Sequence, residues 1–307
     1  MKIDKNHSGK RNRRDKTSLG IHLFLILFSL ICILPMLSVI TASLTSDADL
    51  MEYGFQILPR SFDSIDFTSY AYLFENPEQI INGYKVTILI TAVGTFFSVL
   101  FMSMIAYALS RPQFKLRNML GFFIFIPTLF SGGLTASYII NTRYLHLTDN
   151  IWVLVLPGLI APFHVFMIRT FFKSLPQSLF EAAQVDGAAE WKIFFTIAIP
   201  LSKPVLATVA FLGALGRWNE WYKAMLYIRT ESKYPLQYLL QRVMLNLQAL
   251  LDAMEEAPPI ELISIQDIPG ESLRMALLIV CVGPLMCFFP FFQKYFTKGM
   301  TVGSVKG

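Results

Sequence analysis

Leu19–Ser43 reads LGIHLFLILFSLICILPMLSVITAS, 25 consecutive positions without Asp, Glu, Lys or Arg. At 1.5 Å of rise per residue a helix of that length extends roughly 37 Å. That exceeds the ~30 Å hydrocarbon core of a bilayer, and an apolar run of about 18 or more residues reads as a membrane helix. A secretory signal has an apolar region of only about 7–15 residues, so this run is expected to persist as an uncleaved anchor. Five further runs follow at Val86–Ser110, Met119–Thr142, Ile151–Phe172, Pro204–Tyr222 and Leu273–Phe296. The third is interrupted by Pro127 and Gly132-Gly133, and the sixth contains Pro284 and Pro290. The expected fold class is all-α, a polytopic membrane protein with about six transmembrane helices.

Composition agrees with this reading. Hydrophobic residues make up 54% of the 307 positions and charged residues 15%, against roughly 25% charged in soluble domains. The basic residues give orientation. With the N-terminus inside, segments 1–18, 111–117, 169–203 and 294–307 carry 17 of the 26 Lys and Arg residues. That asymmetry places both termini in the cytoplasm, because basic loops stay inside. The sequence pI of 9.0 is then an imprint of topology and not a nucleic-acid signal. Residues 1–18 are expected to form a loose basic cytoplasmic arm ahead of a membrane domain at 19–307, with segment 223–272 outside. Within that segment Pro235–Glu256 places Leu236, Leu239, Leu240, Val243, Met244, Leu247, Leu251 and Met254 at helical spacing. Its other face is polar, so it is expected as an amphipathic helix lying on the membrane or on a partner.

No catalytic or metal chemistry is legible. The histidines His7, His22, His146 and His164 are scattered, and Cys32, Cys281 and Cys287 sit inside apolar runs as packing residues. There is no HExxH zinc motif, no GxSxG elbow and no GxxxxGK[ST] phosphate loop. The chain is therefore expected to be no enzyme and to bind no cofactor itself.

The informative loop is Ser174–Pro204, SLPQSLFEAAQVDGAAEWKIFFTIAIPLSKP. Ser178-Leu-Phe-Glu181 has the form of a capping box, and Gly187 suits the left-handed conformation that ends a helix. The reading is a short helix, a glycine turn and a second helix stopping near Pro200, with Ala182 and Ala183 giving a smooth surface for another protein. An ordinary amphipathic loop fits the same residues equally well.

Glu181-Ala182-Ala183-x-x-Asp186-Gly187 followed by Ile197-x-x-Pro200 resembles the EAA motif of bacterial ABC-importer permeases. The chain is similar over nearly its whole length to the carbohydrate-uptake, MetI/MalG-like branch, and most similar to its LplC/YtcP-like group. Phe130-Ser-Gly-Gly133, Pro235-Leu-Gln237 and the tail from Lys294 to Gly307 resemble that group, whereas His164 stands where its pattern has Asn. The resemblance implies a permease subunit that passes a carbohydrate, an oligosaccharide in the first instance, inward. Glu181, Ala182, Ala183, Asp186, Gly187, Ile197 and Pro200 would couple it to an ATPase. Implied partners are a second homologous permease chain, two ATPase subunits that use ATP and Mg, and an extracellular solute-binding lipoprotein.

Ionisable groups in membrane spans face partners or water-filled paths. Trp218, Asn219 and Glu220 combine hydrogen-bonding groups with aromatic faces that suit sugars, and Phe130, Gly132 and Gly133 mark a break in the third run. These six are the candidates for the solute path. Interface enrichment of Trp explains the first group as well, Arg217 and Glu220 fit an i,i+3 pair, and close packing explains the glycines. An ion-coupled secondary transporter is the rival class, but it favours mid-span carboxylates and internal repeats, which the runs lack.

Overall fold

A computed structural model describes residues 8–75, 77–256 and 270–303. The first seven residues of the basic arm, positions 257–269 of the outer segment and the last four residues of the tail motif lie outside that description. The elements are helices α1 (Ser8–Ser43), α2 (Asp47–Tyr53), α3 (Thr68–Leu73), α4 (Pro77–Ser110), α5 (Arg117–Leu129), α6 (Gly133–Ile139) and α7 (Pro162–Ser174). They continue with α8 (Gln177–Val185), α9 (Glu190–Ile193), α10 (Ile199–Leu201), α11 (Lys203–Trp218), α12 (Tyr222–Tyr227), α13 (Leu236–Glu256) and α14 (Glu271–Gly303). No strand occurs among the described residues.

Two compact units emerge, one of residues 1–75 with 247–280 and one of 76–246 with 281–307. In the first unit α1 leaves the consecutive residues Leu23, Phe24, Leu25, Ile26 and Leu27 exposed, and so its whole circumference, the pattern of a helix solvated by lipid. The structure carries α1 back to Ser8, so residues 8–18 are not the loose arm expected. No proline or turn sequence separates them from the apolar run, and the helix propagates. In the same unit the Asp47 carboxylate accepts from Gly270 N (2.6 Å), Ser272 N (3.0 Å) and Ser272 Oγ (3.0 Å). It thereby satisfies amides at the start of α14 that have no intrahelical partner.

The second unit is built around α4, a 34-residue helix without an interior proline. One core cluster gathers Met102, Ala106 and Leu109 of α4 with Val165, Ile168 and Phe172 of α7 and Val205 and Val209 of α11. Another gathers Val86 and Ile90 with Leu147, Val153–Val155, Tyr227 and Ile228. The outer amphipathic helix begins on this unit. Leu236 is fully buried, and its amide donates to Thr87 Oγ1 (2.8 Å), so one side of the first turns of α13 packs on α4.

Among the described residues Gly20–Ser43 and Pro77–Ser110 are the single helices long and apolar enough to cross a membrane, and counting each bent pair as one span brings the total to as many as five. The sixth expected run lies within α14. The third run is not one straight span. Its two parts meet at 116°, because Gly133 takes φ +77° and directs the chain away after Phe130. The fourth is bent by 47° ahead of Pro162, and the 190–218 stretch by 81°, with Ser202 standing between α10 and α11. Span five accordingly starts at Lys203 and ends at Trp218, with Tyr222 already in α12.

One carboxylate closes the loops at the α12 end of the second unit. Asp149, at φ +54°, accepts from the amides of Arg229 and Thr230 (both 3.0 Å), from Thr230 Oγ1 (2.6 Å) and from Lys233 Nζ (2.9 Å). The hydrogen bonds from Thr230, then those from Lys233 and Arg229, hold its carboxyl well below the usual range. A depressed carboxylate stabilises the fold above its unfolded pKa of about 3.9 and stops doing so as pH falls through the lower folded value. Asp149→Ala should lower the unfolding midpoint of the detergent-solubilised protein by a few degrees at pH 7, equivalent to roughly 1–2 kcal/mol. That difference should shrink below about pH 4. A difference independent of pH would remove the charge from the account.

Candidate functional site

The Ser174–Pro204 loop folds as a helix, a turn and a bent helix. α8 starts at Gln177 behind Pro176, and no side-chain cap forms there, so the expected capping box is absent. The helix begins two positions too early for Ser178 to stand outside it. The other end is as expected. Gly187 has φ +75°, its amide donates to Gln184 O (3.0 Å), and the Ala188 amide donates to Ala183 O (2.9 Å). These two bonds form a Schellman turn, whose left-handed position suits glycine because it has no Cβ.

α8 presents two different faces. Phe180 is 2% exposed and packs against Tyr107 and under the Arg111 guanidinium, 4.7 Å from its ring. Outward stand Glu181, Ala182, Asp186 and Gly187, flanked by Leu179 and by Val185 at 87% exposure. Ala183 and Ile197 are half-buried against the core, and Pro200 is exposed on α10. The coupling candidates thus divide into an outward patch and two residues that fasten it.

Glu190, the first residue of α9, fixes the loop to the bundle. Its carboxylate accepts from Tyr107 Oη (2.6 Å), Gln184 Nε2 (2.7 Å) and Arg111 Nη2 (3.2 Å). One side chain therefore joins α8, α9 and the end of α4. Burial pushes the Glu190 carboxyl up, but the hydrogen bonds from Tyr107, Gln184 and Arg111 outweigh it and hold the group below its ordinary value. Beside it lies a mainly apolar cleft of about 420 Å³ lined by Met104, Phe114, Trp191 and Phe194. Sequence reasoning missed Glu190. Two of its partners, Arg111 just past the end of α4 and Tyr107 on it, lie 79 and 83 residues away, and the only local signal was an acidic residue at a helix start.

The six path candidates do not converge. Trp218 is 5% exposed, and its indole N–H donates to Cys281 O (3.0 Å). It is a packing residue of α11 against α14. Asn219 Nδ2 donates back to Leu215 O (2.9 Å). Glu220 is paired with Lys223 and not with Arg217 as the spacing suggested, because the helix ends at Trp218 and the chain turns. Phe130 is 73% exposed at the bend, and a Cβ added at Gly133 would meet nothing within 4 Å. The turn, with its positive φ, accounts for the glycine at 133. Of the six, Glu220 alone lines a cavity of about 280 Å³ together with Thr95, Ser98, His164, Arg217 and Lys223. Across that cavity Arg217 donates to Gly158 O (2.8 Å), to Gly213 O (3.2 Å) and to Ser98 Oγ.

Two substitutions separate these roles. Glu190→Ala should release α8, raising amide exchange across 177–198 while leaving α4 protected. Unchanged exchange there would remove Glu190 as the fastening group. Trp218→Ala should act on stability, by about 3–5 kcal/mol for a buried Trp, and lower the amount of protein in the membrane. Normal abundance with slowed solute uptake would instead return Trp218 to the path.

The description "binding-protein-dependent transport system inner membrane component" fits residues 86–302, a stretch that includes the 174–204 loop, the cavity residues and most of α14. Among individual proteins, Protein LplC of Bacillus subtilis is 39% identical over 280 residues, covering 90% of each chain. The polygalacturonan/rhamnogalacturonan transport system permease protein YtcP of Bacillus subtilis is 35% identical over 291 residues, covering 94% of this chain and 97% of its own. A crystal structure of a bacterial ABC transporter involved in the import of the acidic polysaccharide alginate contains a chain of the same fold. It matches with TM-score 0.75 and 28% identity over 96% of this chain and 100% of that one. With family, relatives and fold in agreement, the chain is a multi-pass permease subunit of the binding-protein-dependent ABC importers.

Proposed function

We propose that this permease carries a carbohydrate, in the first instance an oligosaccharide, into a bacterial cell without altering it covalently. Relatives named for polygalacturonan, arabinooligosaccharide and galactooligosaccharide transport support the solute class. ATP and Mg²⁺ act in two separate ATPase subunits, a second homologous permease chain completes the path, and an extracellular lipoprotein delivers the solute. Both termini face the cytoplasm, in keeping with the bias of basic residues toward one side.

The observation that carries the reading is the outward patch of α8. A short helix with exposed Ala182 and Val185 is held at its C-terminal end twice, by the Gly187 turn and by the bond from Gln184 to Glu190. Small side chains permit close approach, and the two fastenings keep a push on α8 from being lost in loop motion. On this reading Glu181 and Asp186 supply polar contacts at the rim of an ATPase cleft, and Ala182–Ala183 the close-packed surface.

The deciding experiment is affinity purification of the chain from native membranes in mild detergent. An ATPase and a second permease should co-purify. Recovery of the chain alone, under conditions that keep other ABC complexes intact, would favour an ion-coupled carrier. Gly187→Leu should abolish most ATP-driven uptake while leaving membrane abundance unchanged, since a branched side chain is costly at positive φ. Normal uptake by that variant would sink the coupling role of the turn.

A further inference from the structure

The cleft of about 420 Å³ beside Glu190 serves no step of the coupling described above. Its walls are mainly apolar: Met104 and Ala108 of α4, Phe114 of the turn that follows, and Trp191 and Phe194 of the loop. Two of these residues belong to a longer stripe. Phe97, Phe101, Met104, Ala108 and Arg111 recur at alternating steps of four and three, the spacing of one helix face. Phe97 and Phe101 are exposed and stack at 5.9 Å on a helix long and apolar enough to cross the membrane. An aromatic pair exposed at that depth faces hydrocarbon, and the stripe leads from it into the cleft without a break. From Phe101 to Arg111 the stripe runs about 15 Å along the helix axis. That is half of the ~30 Å hydrocarbon core, the depth of one leaflet.

The end of the stripe is basic. Arg111 closes it but is already engaged, paired with Glu190 at 3.2 Å and lying 4.7 Å over the Phe180 ring. The remaining cations are Lys115 and Arg117, which follow the lining residue Phe114, and Lys192, which follows the lining residue Trp191. None of these three takes part in an ion pair among the described residues. Among the residues lining the cleft Glu190 is the one acid, and Arg111 neutralises it. Trp191 and Phe195 stand exposed on either side of this group and meet edge to face at 5.0 Å. Aromatic residues of this kind settle at the level of the lipid headgroups. An apolar slot one leaflet deep, with cations at its mouth, fits a molecule with a hydrocarbon tail and an anionic head. Basic pockets at the cytoplasmic ends of membrane helices bind anionic headgroups in this way.

We propose that the cleft holds an acyl chain of an anionic phospholipid, with the headgroup phosphate on Lys115, Arg117 and Lys192. The leaflet is the cytoplasmic one on the topology proposed above. The chain packs against Met104, Trp191 and Phe194 and braces the wall from which Tyr107 and Arg111 hold Glu190, so that anionic lipid steadies α8.

The test uses the full-length chain in its native assembly, placed in nanodiscs of phosphatidylcholine alone or mixed with phosphatidylglycerol in equal parts. Native mass spectrometry counts the lipids retained on release, and amide exchange reports on residues 177–198. The wild type should retain phosphatidylglycerol over phosphatidylcholine by about tenfold, the size expected of two basic contacts to an anionic headgroup. Exchange across 177–198 should slow when phosphatidylglycerol is present. Ala108→Phe, which fills the cleft, should abolish both effects. Lys115→Ala combined with Arg117→Ala should bring retention of the two lipids close to equality. Equal retention in the wild type, or a preference untouched by Ala108→Phe, would overturn the proposal. So would slowed exchange produced by inorganic phosphate in phosphatidylcholine alone, which would make the site one for a free anion. Absence of retained lipid on the native assembly would mean that another subunit covers the cleft, and would overturn it equally. If Ala108→Phe does not assemble, the paired charge variant decides, and an unchanged preference there would overturn the proposal. None of these readouts depends on solute uptake, so their failure is distinct from failure of the sugar-import reading.

Discussion

A backbone inside a bilayer has no water to bond with, so each N–H and C=O must find its partner within the protein. Long uncharged runs become helices for that reason, and wherever a run breaks the freed groups need protein or a wet cavity beside them. The fourth run illustrates this. Its helix gives way to short turns around Pro157 and Gly158, and the Gly158 carbonyl is met by Arg217 Nη2. The break and the half-buried cation satisfy each other. At Ser202 the bond that ends α10 runs to the carbonyls of Ala198 and Ile199, so the 81° bend leaves that amide paired. Helix continuity fails at these places without leaving such groups unpaired.

The loop that follows α7 depends on a different kind of constraint. α8 has nine residues, too few for an isolated helix to persist in water. Its order comes from tertiary contacts: Phe180 under Arg111, the Schellman turn at Gly187 and the carboxylate of Glu190 shared among three donors. The charge is partly exposed, with side-chain exposures of 7% for Arg111 and 50% for Glu190. Its value lies less in stability than in geometry, since a carboxylate with three directed bonds admits few orientations of α8 relative to α4.

Patterns local in sequence were legible, and patterns that need the third dimension were not. The apolar runs, the amphipathic face beginning at Leu236 and the left-handed Gly187 follow from spacing and residue type. The bend after Phe130 was visible as Pro127 and two glycines, yet those residues cannot say whether a helix kinks or folds back. The pairing of Arg217 was misjudged because i,i+3 spacing implies contact only if the helix continues, and it stops at Trp218. Trp218 resembled a sugar platform by composition, while its burial against Cys281 depends on a segment 63 residues away. The Tyr107–Arg111–Glu190 group has no sequence signature, because its members approach only when α4 and α9 pack.

α4 carries both halves of the arrangement. Ser98, which receives Arg217, and Tyr107, which holds Glu190, are nine residues apart on one proline-free helix, a separation of roughly 14 Å along its axis. A packed helix of this length moves as a body, because bending it would break ladder bonds that have no substitute in lipid. A displacement of α8 that shifts Glu190 must therefore move the cytoplasmic end of α4, break the Tyr107 and Arg111 bonds, or both. The short Tyr107–Glu190 contact and the enclosed Arg111 favour the first. Ser98 then shifts with the helix, and with it one of the three acceptors that orient Arg217, while Gly158 and Gly213 belong to other segments. The cavity wall is thus assembled from elements that a motion of the loop would move unequally, which is the geometry required if solute affinity is to change as the loop is driven.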